Sequence, residues 1–130
     1  RSSVAAGVDA VFTPISNSAP LNGDVVKTSS GNIFHIPISK VKNLKDVIYT
    51  LNANDVFVVA ITEKAEEMIY NKSLNVPLAI VLGSEEKGIS KGILEIIDSH
   101  ASIPMQNKIN SLNVSVACGI SLFEIVRQRI

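Results

Sequence analysis

The segment VLGSEEKGIS, residues 81–90, places glycines, serines and carboxylates directly after an apolar run. Gly83 and Gly88 are separated by four residues, which is the spacing of a phosphate-binding loop. Such a loop requires lysine at the next position, where this chain has Ile89. Two carboxylates inside the loop would also repel a polyphosphate. The residue types therefore exclude a nucleoside triphosphate and predict a loop that serves a different ligand.

A second polar segment, IPMQNKINSLNVS at residues 103–115, follows another short apolar run. Ser111 and Asn113 are both good N-cap residues, so a helix is expected to begin there and to present unpaired backbone N–H groups. A third segment, residues 60–63, also follows an apolar run. Each feature alone fits an ordinary turn, a helix cap or a solvated acid, so it is their joint presence that indicates a binding site.

The elements that position these segments follow from hydrophobic spacing. Short runs rich in Val and Ile alternate with segments of helical periodicity, which predicts an α/β fold with a parallel sheet flanked by helices. Because ligands bind beyond the carboxyl ends of parallel strands, the three segments are expected to meet at one edge of the sheet. The predicted strands are 10–13, 33–36, 56–61, 78–82 and 101–103, and the predicted helices are 44–51, 93–97 and one from Ser111 or Asn113 to about Arg129.

Composition limits the class of protein. The 130 residues are 46% hydrophobic, which is enough for one compact domain. The 12 basic and 12 acidic residues balance, so the net charge does not attract the chain to nucleic acid or to anionic membranes. The single cysteine, Cys118, has no disulfide partner, and His35 and His100 lack ligand spacing, so no metal is expected. No apolar run reaches membrane-spanning length and no signal peptide opens the chain, which predicts a soluble cytoplasmic protein without a membrane partner.

Three stretches of the chain carry a family resemblance. VLGSEEKGIS and IPMQNKINSLNVSVACGISLFEIVRQR resemble the second and third motifs of the SpoU or TrmH family of RNA ribose 2′-O-methyltransferases, within the SPOUT superfamily. RSSVAAGVDAVF is similar to the first motif from its arginine onward, so Arg1 matches that arginine and the Asn-x-Gly part of the motif would precede it. The resemblance implies that residues 1–130 are a SpoU-type catalytic domain, N-terminally truncated and lacking its first strand and any N-terminal RNA-binding domain.

The resemblance also implies a fold and a reaction. Members of the family have a C-terminal trefoil knot, form homodimers across it, and use S-adenosyl-L-methionine to methylate a ribose 2′-hydroxyl of RNA. The unusually apolar last helix agrees with such a dimer, and LFEIVRQR is most similar to members that act on a guanosine of large-subunit ribosomal RNA. By the same similarity, the cofactor-binding residues are Ala60, Ile61, Thr62, Leu82, Gly83, Ser84, Ile103, Met105, Leu112 and Ser115.

The same resemblance implies that four catalytic residues lie together at the site of methyl transfer, namely Arg1, Glu85, Ser111 and Asn113. A guanidinium stays protonated at neutral pH, so Arg1 is expected to anchor phosphate and to stabilise the oxyanion. Glu85 is expected to accept the proton or to orient Arg1, and Asn113 is expected to hold the ribose or the active loop. Gly83 is expected to let the backbone approach the cofactor closely.

Other interpretations stay open. The chain is alternatively a catalytically incomplete fragment, or a non-catalytic dimer of the same fold that binds the cofactor or RNA. The substrate is alternatively tRNA rather than ribosomal RNA. A generic nucleotide-binding α/β domain, such as an oxidoreductase, is disfavoured because no Gly-x-Gly-x-x-Gly follows the first predicted strand.

Overall fold

The computed structural model describes residues 1–107 and 109–130, and the chain divides into two compact units, Arg1–Leu44 and Lys45–Ile130. The elements of the first unit are α1 (Ser2–Ala5), β1 (Val11–Pro14), α2 (Gly23–Thr28), a 3₁₀ helix (Asn32–His35) and β2 (Ile38–Val41). β1 and β2 form a parallel pair that starts with Val11 opposite Ile38. The first predicted strand is therefore confirmed, one residue further along the chain.

The strand predicted at residues 33–36 is wrong. Residues Asn32–His35 form a 3₁₀ helix, and β2 comes only after it. Side chains draw this segment into a turn: the Ser29 hydroxyl accepts a hydrogen bond from the Ile33 N–H, and the Asn32 amide donates to the Ser29 carbonyl. Such local hydrogen bonds compete with the ladder of a sheet, and here they prevail over the β-propensity of the isoleucines.

The sequence pattern also fails to predict α2, which is too short for apolar periodicity to be visible. The start of α2 is nevertheless marked by Asn22, whose side-chain oxygen accepts hydrogen bonds from the N–H groups of Asp24 at 3.0 Å and Val25 at 3.4 Å. An asparagine followed by glycine and an acid is a helix-start signal, and it is the signal that would have found this helix.

The second unit contains the larger sheet. Its elements are α3 (Leu44–Ala53), β3 (Phe57–Ile61), a 3₁₀ helix (Ile69–Asn71), β4 (Leu78–Leu82), α4 (Lys91–Leu94), β5 (Ser99–Ala101) and α5 (Val114–Arg129). The strand order is β4-β3-β5 and all pairs are parallel. The chain adds β4 on one side of β3 and then β5 on the other, so the strand order reverses at β3. Parallel α/β sheets bind ligands beyond the strand ends at such a reversal.

β3 is the centre of the core because both of its faces are covered. Side chains alternate along a strand, so Val58 and Ala60 share one face, where they pack with Ile48 of α3 and with Ile97. Val59 lies on the other face and has no exposed surface. A strand buried on both faces is a continuous apolar run, which explains why the sequence predicts β3 to within one residue.

Two elements of this unit lie about two residues earlier than predicted. Helix α4 ends at Leu94 rather than at residue 97, and Ile97 instead packs in the core. β5 begins at Ser99, although Ser99 and His100 are polar. The strand accommodates them because Ser99 is buried as part of the ladder and the His100 Nε2 lies 3.2 Å from the Leu94 carbonyl oxygen.

Helix α5 is confirmed with its predicted bounds, and its C-terminal end is fixed by Gln128. The Gln128 side-chain oxygen accepts from the Leu74 N–H at 2.7 Å, and its amide donates to the Lys72 carbonyl at 2.9 Å and to Glu124 at 2.7 Å. The buried Glu124 carboxylate also accepts two hydrogen bonds of 2.8 Å from Arg127. Hydrogen bonds from Arg127, and then from Gln128, lower the pKa of Glu124 to about 2.

Helix α5 buries one side and leaves an apolar row on the other. Leu122 and Ile125 are buried, whereas Val116 and Phe123 keep 46% and 50% of their surface exposed. Residues four and seven positions apart lie on one helix face, so Val116, Ile120 and Phe123 form a row, called here the α5 apolar row. Over residues 1–107 and 109–130, none of the helices combines the length and the apolar character needed to cross a lipid bilayer.

Candidate active site

The loop after β4 closes on itself. The Ser84 N–H donates to the Gly88 carbonyl at 3.3 Å, and the Gly88 N–H donates back to the Ser84 carbonyl at 2.9 Å. The Lys87 N–H donates to the Ser84 hydroxyl at 3.2 Å. Three N–H groups that an anion-binding loop would present to its ligand are thus used inside the loop, which agrees with the exclusion of a phosphate-binding loop.

Gly83 is required by this closure. A Cβ atom at Gly83 would lie 2.2 Å from the Gly88 carbonyl carbon and 2.4 Å from the Ile89 nitrogen. Real Cβ atoms essentially never approach another atom within 3.0 Å, so any other residue would push the two sides of the loop apart. The close contact at Gly83 is thus between two parts of the loop itself. From the sequence, glycine is expected here for a different reason, which is a close approach of the backbone to the cofactor.

Glu85 links the loop to the start of α5. Its Oε1 accepts a hydrogen bond from the Val114 N–H at 3.3 Å. Val114 is the first residue of α5, and the N-cap residue Asn113 makes no side-chain cap hydrogen bond. The Glu85 carboxylate, 29 residues earlier in the chain, therefore satisfies an unpaired donor of the helix and places negative charge at the positive end of its dipole.

A cavity of about 320 Å³, called here the first cavity, opens where the segments after β3, β4 and β5 meet. Of the ten predicted cofactor-binding residues, Ala60 and Ser115 are not part of its lining. Strand alternation turns Ala60 into the core, and Ser115 is exposed on α5. The other predicted cofactor-binding residues all line the cavity, namely Ile61, Thr62, Leu82, Gly83, Ser84, Ile103, Met105 and Leu112.

The four predicted catalytic residues are divided among different positions. Glu85 and Ser111 line the first cavity. Asn113 is the N-cap residue of α5 and is not part of the lining. Arg1 belongs to the first unit, where its guanidinium donates to the Ser30 hydroxyl at 3.4 Å. The catalytic roles of these residues stay predictions.

Sequence reasoning misses several residues of the lining. All of them lie within the three polar segments or in the first turn of α5, so proximity to a motif residue is the signal that could have found them. Their side chains include two further carboxylates and one ammonium group. The missed residues are Glu63, Glu86, Lys87, Gly88, Ile89, Asn110, Val114 and Ala117.

The described residues that line the first cavity combine apolar walls with an excess of negative charge. Among the described residues of the lining, Glu63, Glu85 and Glu86 contribute three carboxylates and Lys87 contributes one ammonium group. Apolar side chains come from the ends of β3 and β4 and from the segment before α5. Such a lining suits a ligand with a flat apolar part and a positive charge. In the part of the chain that the structure describes, no group of three or more His, Cys, Asp or Glu side chains could hold a metal ion.

A second cavity, of about 510 Å³, adjoins the first. Glu63, Ile103, Met105 and Asn110 line both cavities, so these four residues form a shared wall. Among the described residues, those that line the second cavity are Glu63, Ser102, Ile103, Pro104, Met105, Ile109 and Asn110.

Fold and site together define an α/β protein with a cavity beyond the carboxyl ends of a parallel sheet, at the point where the strand order reverses. The sequence profile of the SpoU rRNA Methylase family matches residues 1–123, and the chain belongs to this family. The resemblance found in the motifs is thereby confirmed.

Known relatives agree with this assignment. The 23S rRNA (guanosine-2′-O-)-methyltransferase RlmB of Yersinia pestis is 41% identical over 99% of this chain and 52% of its own length. The AdoMet-bound rRNA methyltransferase of Sinorhizobium meliloti superposes with a TM-score of 0.90 at 27% identity, over 100% of this chain and 50% of that one. The SpoU methyltransferase AviRb of Streptomyces viridochromogenes, in complex with AdoMet, superposes with a TM-score of 0.90 at 25% identity. This superposition covers 98% of this chain and 53% of that one. The chain spans about half the length of the curated relatives it matches.

Proposed function

We propose that this chain catalyses methyl transfer from S-adenosyl-L-methionine to a ribose 2′-hydroxyl of RNA, with a guanosine of large-subunit ribosomal RNA as the target. The curated relatives are named for this reaction, and two structural neighbours are complexes with the cofactor. The observation that carries the proposal is the first cavity, because both the LGSEEKGIS loop and the SLNVS segment line it at the β3 switch point. RNA is accordingly the proposed partner, and the cytoplasm is the proposed location.

The first cavity suits this cofactor. S-adenosylmethionine combines a flat adenine with a sulfonium centre whose positive charge makes the attached methyl group electrophilic. Leu82, Ile103 and Leu112 offer apolar surface for the adenine, and the carboxylates of the lining favour a cation over an anion. The remaining proposed cofactor contacts come from Ile61, Thr62, Gly83, Ser84 and Met105.

The ribose hydroxyl is a weak nucleophile while it is protonated, so residues of this chain must orient it and help to remove its proton. Ser111 lines the first cavity and is proposed to hydrogen-bond the ribose there. Arg1 is proposed to hold an RNA phosphate and to stabilise negative charge on the attacking oxygen, because its guanidinium remains a cation. Asn113 is proposed to hold the ribose through its amide.

Glu85 is proposed as a positioning residue, because its Oε1 already accepts the Val114 N–H. Glutamine keeps an acceptor oxygen at this place and alanine removes it. Glu85→Gln is therefore expected to keep kcat within about threefold, whereas Glu85→Ala is expected to weaken cofactor binding about tenfold, the effect of losing a helix cap. A Glu85→Gln variant that binds the cofactor normally and transfers no methyl group would instead make Glu85 the proton acceptor.

The C-terminal trefoil knot and the homodimer belong to the same proposal. The knot is supported by the close superposition on SpoU methyltransferases and by the match of the third motif over its whole length. The dimer is supported by the α5 apolar row, whose Val116 and Phe123 are exposed by about half within one chain. A second subunit that covers this row would remove apolar surface from water, the main driving force of association.

The experiment that tests the proposed function has a binding arm and a transfer arm. Calorimetry compares S-adenosylmethionine with NADH, and only the former is expected to bind. Transfer of a labelled methyl group is measured on large-subunit ribosomal RNA and on tRNA, followed by mass spectrometry of the product nucleosides. We expect 2′-O-methylguanosine from ribosomal RNA. Transfer to tRNA alone would favour the tRNA interpretation, and cofactor binding without transfer to any RNA would favour a non-catalytic binding protein.

A further inference from the structure

The second cavity has no role in the proposed function so far. Its volume of about 510 Å³ falls in the range of about 300–1,000 Å³ that ligand sites occupy. The wall that it shares with the first cavity carries one carboxylate, that of Glu63. The Thr62 hydroxyl donates to Glu63 Oε2 at 3.4 Å, directly after the end of β3, and each carboxylate oxygen keeps a further lone pair that can accept a hydrogen bond from a ligand.

The lining of the second cavity favours a flat molecule with hydrogen-bond donors at one edge. Ser102 is committed elsewhere, since its hydroxyl and its N–H both donate to the Glu67 carbonyl. Of the described residues of the lining, Glu63 and Asn110 are therefore the side chains that can bind a polar edge. Pro104 and the neighbouring aliphatic side chains offer apolar surface to a flat face.

The chemistry of a carboxylate narrows the ligand further. An ionised carboxylate only accepts hydrogen bonds, so it selects paired donors and repels a phosphate. Guanine presents N1–H and the N2 amino group side by side on its Watson–Crick edge, which matches the two oxygens of one carboxylate. Adenine, cytosine and uracil each place an acceptor beside the donor on that edge. Proteins commonly bind unstacked RNA bases through this edge and stack them on side chains.

We propose that the second cavity receives the guanine base of the target nucleotide and that Glu63 determines the specificity for guanine. This inference rests on the proposed function and deepens it. A base in the second cavity has its ribose next to the shared wall, and the first cavity lies on that wall as well. The Asn110 amide complements Glu63, because its N–H groups can donate to guanine O6, which a carboxylate cannot bind.

The test compares the wild-type chain with Glu63→Ala on RNA fragments that carry guanosine or inosine at the methylated position, mapped beforehand by mass spectrometry. Inosine keeps N1–H and lacks the N2 amino group. We expect the wild type to lose about tenfold in kcat/KM on inosine. Glu63→Ala is expected to be about tenfold weaker on guanosine, with no further loss on inosine. Glu66→Ala removes an exposed acid outside both cavities and is expected to behave like the wild type.

The outcomes separate this inference from the proposed function. An equal inosine penalty in the wild type and in Glu63→Ala would overturn the inference alone, because a merely structural role lowers kcat/KM on both substrates equally. No transfer from the wild type to any RNA would overturn the proposed function and the inference with it. Circular dichroism checks the fold of each variant. If Glu63→Ala does not fold, Glu63→Gln replaces it, and its one acceptor oxygen is expected to leave an inosine penalty smaller than that of the wild type.

Discussion

Replacing Gly83 by alanine tests whether the closed loop after β4 builds the first cavity. The new Cβ would lie 2.2 Å from the Gly88 carbonyl carbon, whereas ordinary contact begins at 3.4 Å. The two sides of the loop must therefore separate by about 1.2 Å, the difference between these distances. Overpacking of this kind costs about 1–3 kcal/mol of stability, and a displacement of about 1 Å in a site costs about 100-fold in rate. We expect both losses in Gly83→Ala.

Urea unfolding measures the stability, calorimetry with S-adenosylmethionine measures binding, and methyl transfer gives kcat. Gly92→Ala is the matched control, because the added Cβ would meet only the flexible tip of the Lys45 side chain, at 3.1 Å. Gly92 also lies within α4, where alanine is intrinsically favoured over glycine. Wild-type cofactor affinity and an unchanged urea midpoint in Gly83→Ala would show that neither the stability of the fold nor the first cavity depends on the closed loop.

Two further predictions concern α5. Glu124→Ala is expected to lower the free energy of unfolding at pH 7 by about 1.5–3 kcal/mol, the value of hydrogen bonds to a charged group, whereas Glu95→Ala at an exposed pair costs about 0.5 kcal/mol or less. Because folding lowers the pKa of Glu124 from 4.5 to about 2, the stabilisation by its carboxylate is fully present above pH 4.5 and is lost as the pH falls toward 2. Urea unfolding at several pH values should therefore show that the difference in free energy of unfolding between wild type and Glu124→Ala vanishes toward pH 2. Ile120→Asp is expected to give monomers in analytical ultracentrifugation while Tyr49→Asp, at an exposed position of α3, leaves dimers intact; a folded, active Ile120→Asp dimer would contradict the proposed interface.

The strands of the second unit follow from sequence because burial on both faces leaves a plain signal. β4 has the predicted bounds, 78–82, since a run of five apolar residues lies between Pro77 and Gly83. Proline lacks an N–H and glycine packs no side chain, so both mark the ends of a strand. The last helix is equally visible, because its apolar residues extend over four turns. These elements position the first cavity, and its location at the strand ends could be predicted.

The first unit is less predictable because its structure depends on local side-chain hydrogen bonds. Ser29 and Asn32 turn the backbone where apolar spacing indicates a strand, and Asn22 starts a helix that has no apolar repeat. Hydrophobic periodicity contains no information on such bonds. A search for capping and turn residues would have found them, since each involves an asparagine or serine at a characteristic spacing.

The sequence predicts which segments form the site, but it does not predict the contacts that individual side chains make there. Family motifs select the three segments that line the first cavity, but they do not show that Glu85 binds the Val114 N–H, because the two residues lie 29 positions apart. They also do not separate Ala60, which faces the core, from Ile61, which faces the cavity. Only the register of β3 against its neighbours decides which side chain points toward a ligand.

The closed loop after β4 and the cap that Glu85 provides both act on the first turn of α5, so the energetic coupling between them can be measured. Gly83 lets the loop close, the closed loop carries Glu85, and Glu85 completes the first turn of α5 through the Val114 N–H. Opening the loop should therefore already remove the cap. We expect the double variant Gly83→Ala/Glu85→Ala to bind S-adenosylmethionine no more weakly than Gly83→Ala alone. The coupling energy would then have a magnitude of about 1.4 kcal/mol, the whole of the tenfold effect expected for Glu85→Ala.

The control pair is Gly83→Ala with Glu124→Ala. Glu124 lies ten residues beyond Val114 on α5, about 15 Å along the helix axis, and its partners are at the other end of that helix. The effects of these two substitutions on the free energy of unfolding are expected to add within about 0.5 kcal/mol. If the effects of Gly83→Ala and Glu85→Ala on cofactor affinity were also additive, loop closure and the helix cap would be independent features. Loop closure would then not be what positions Glu85 at the Val114 N–H.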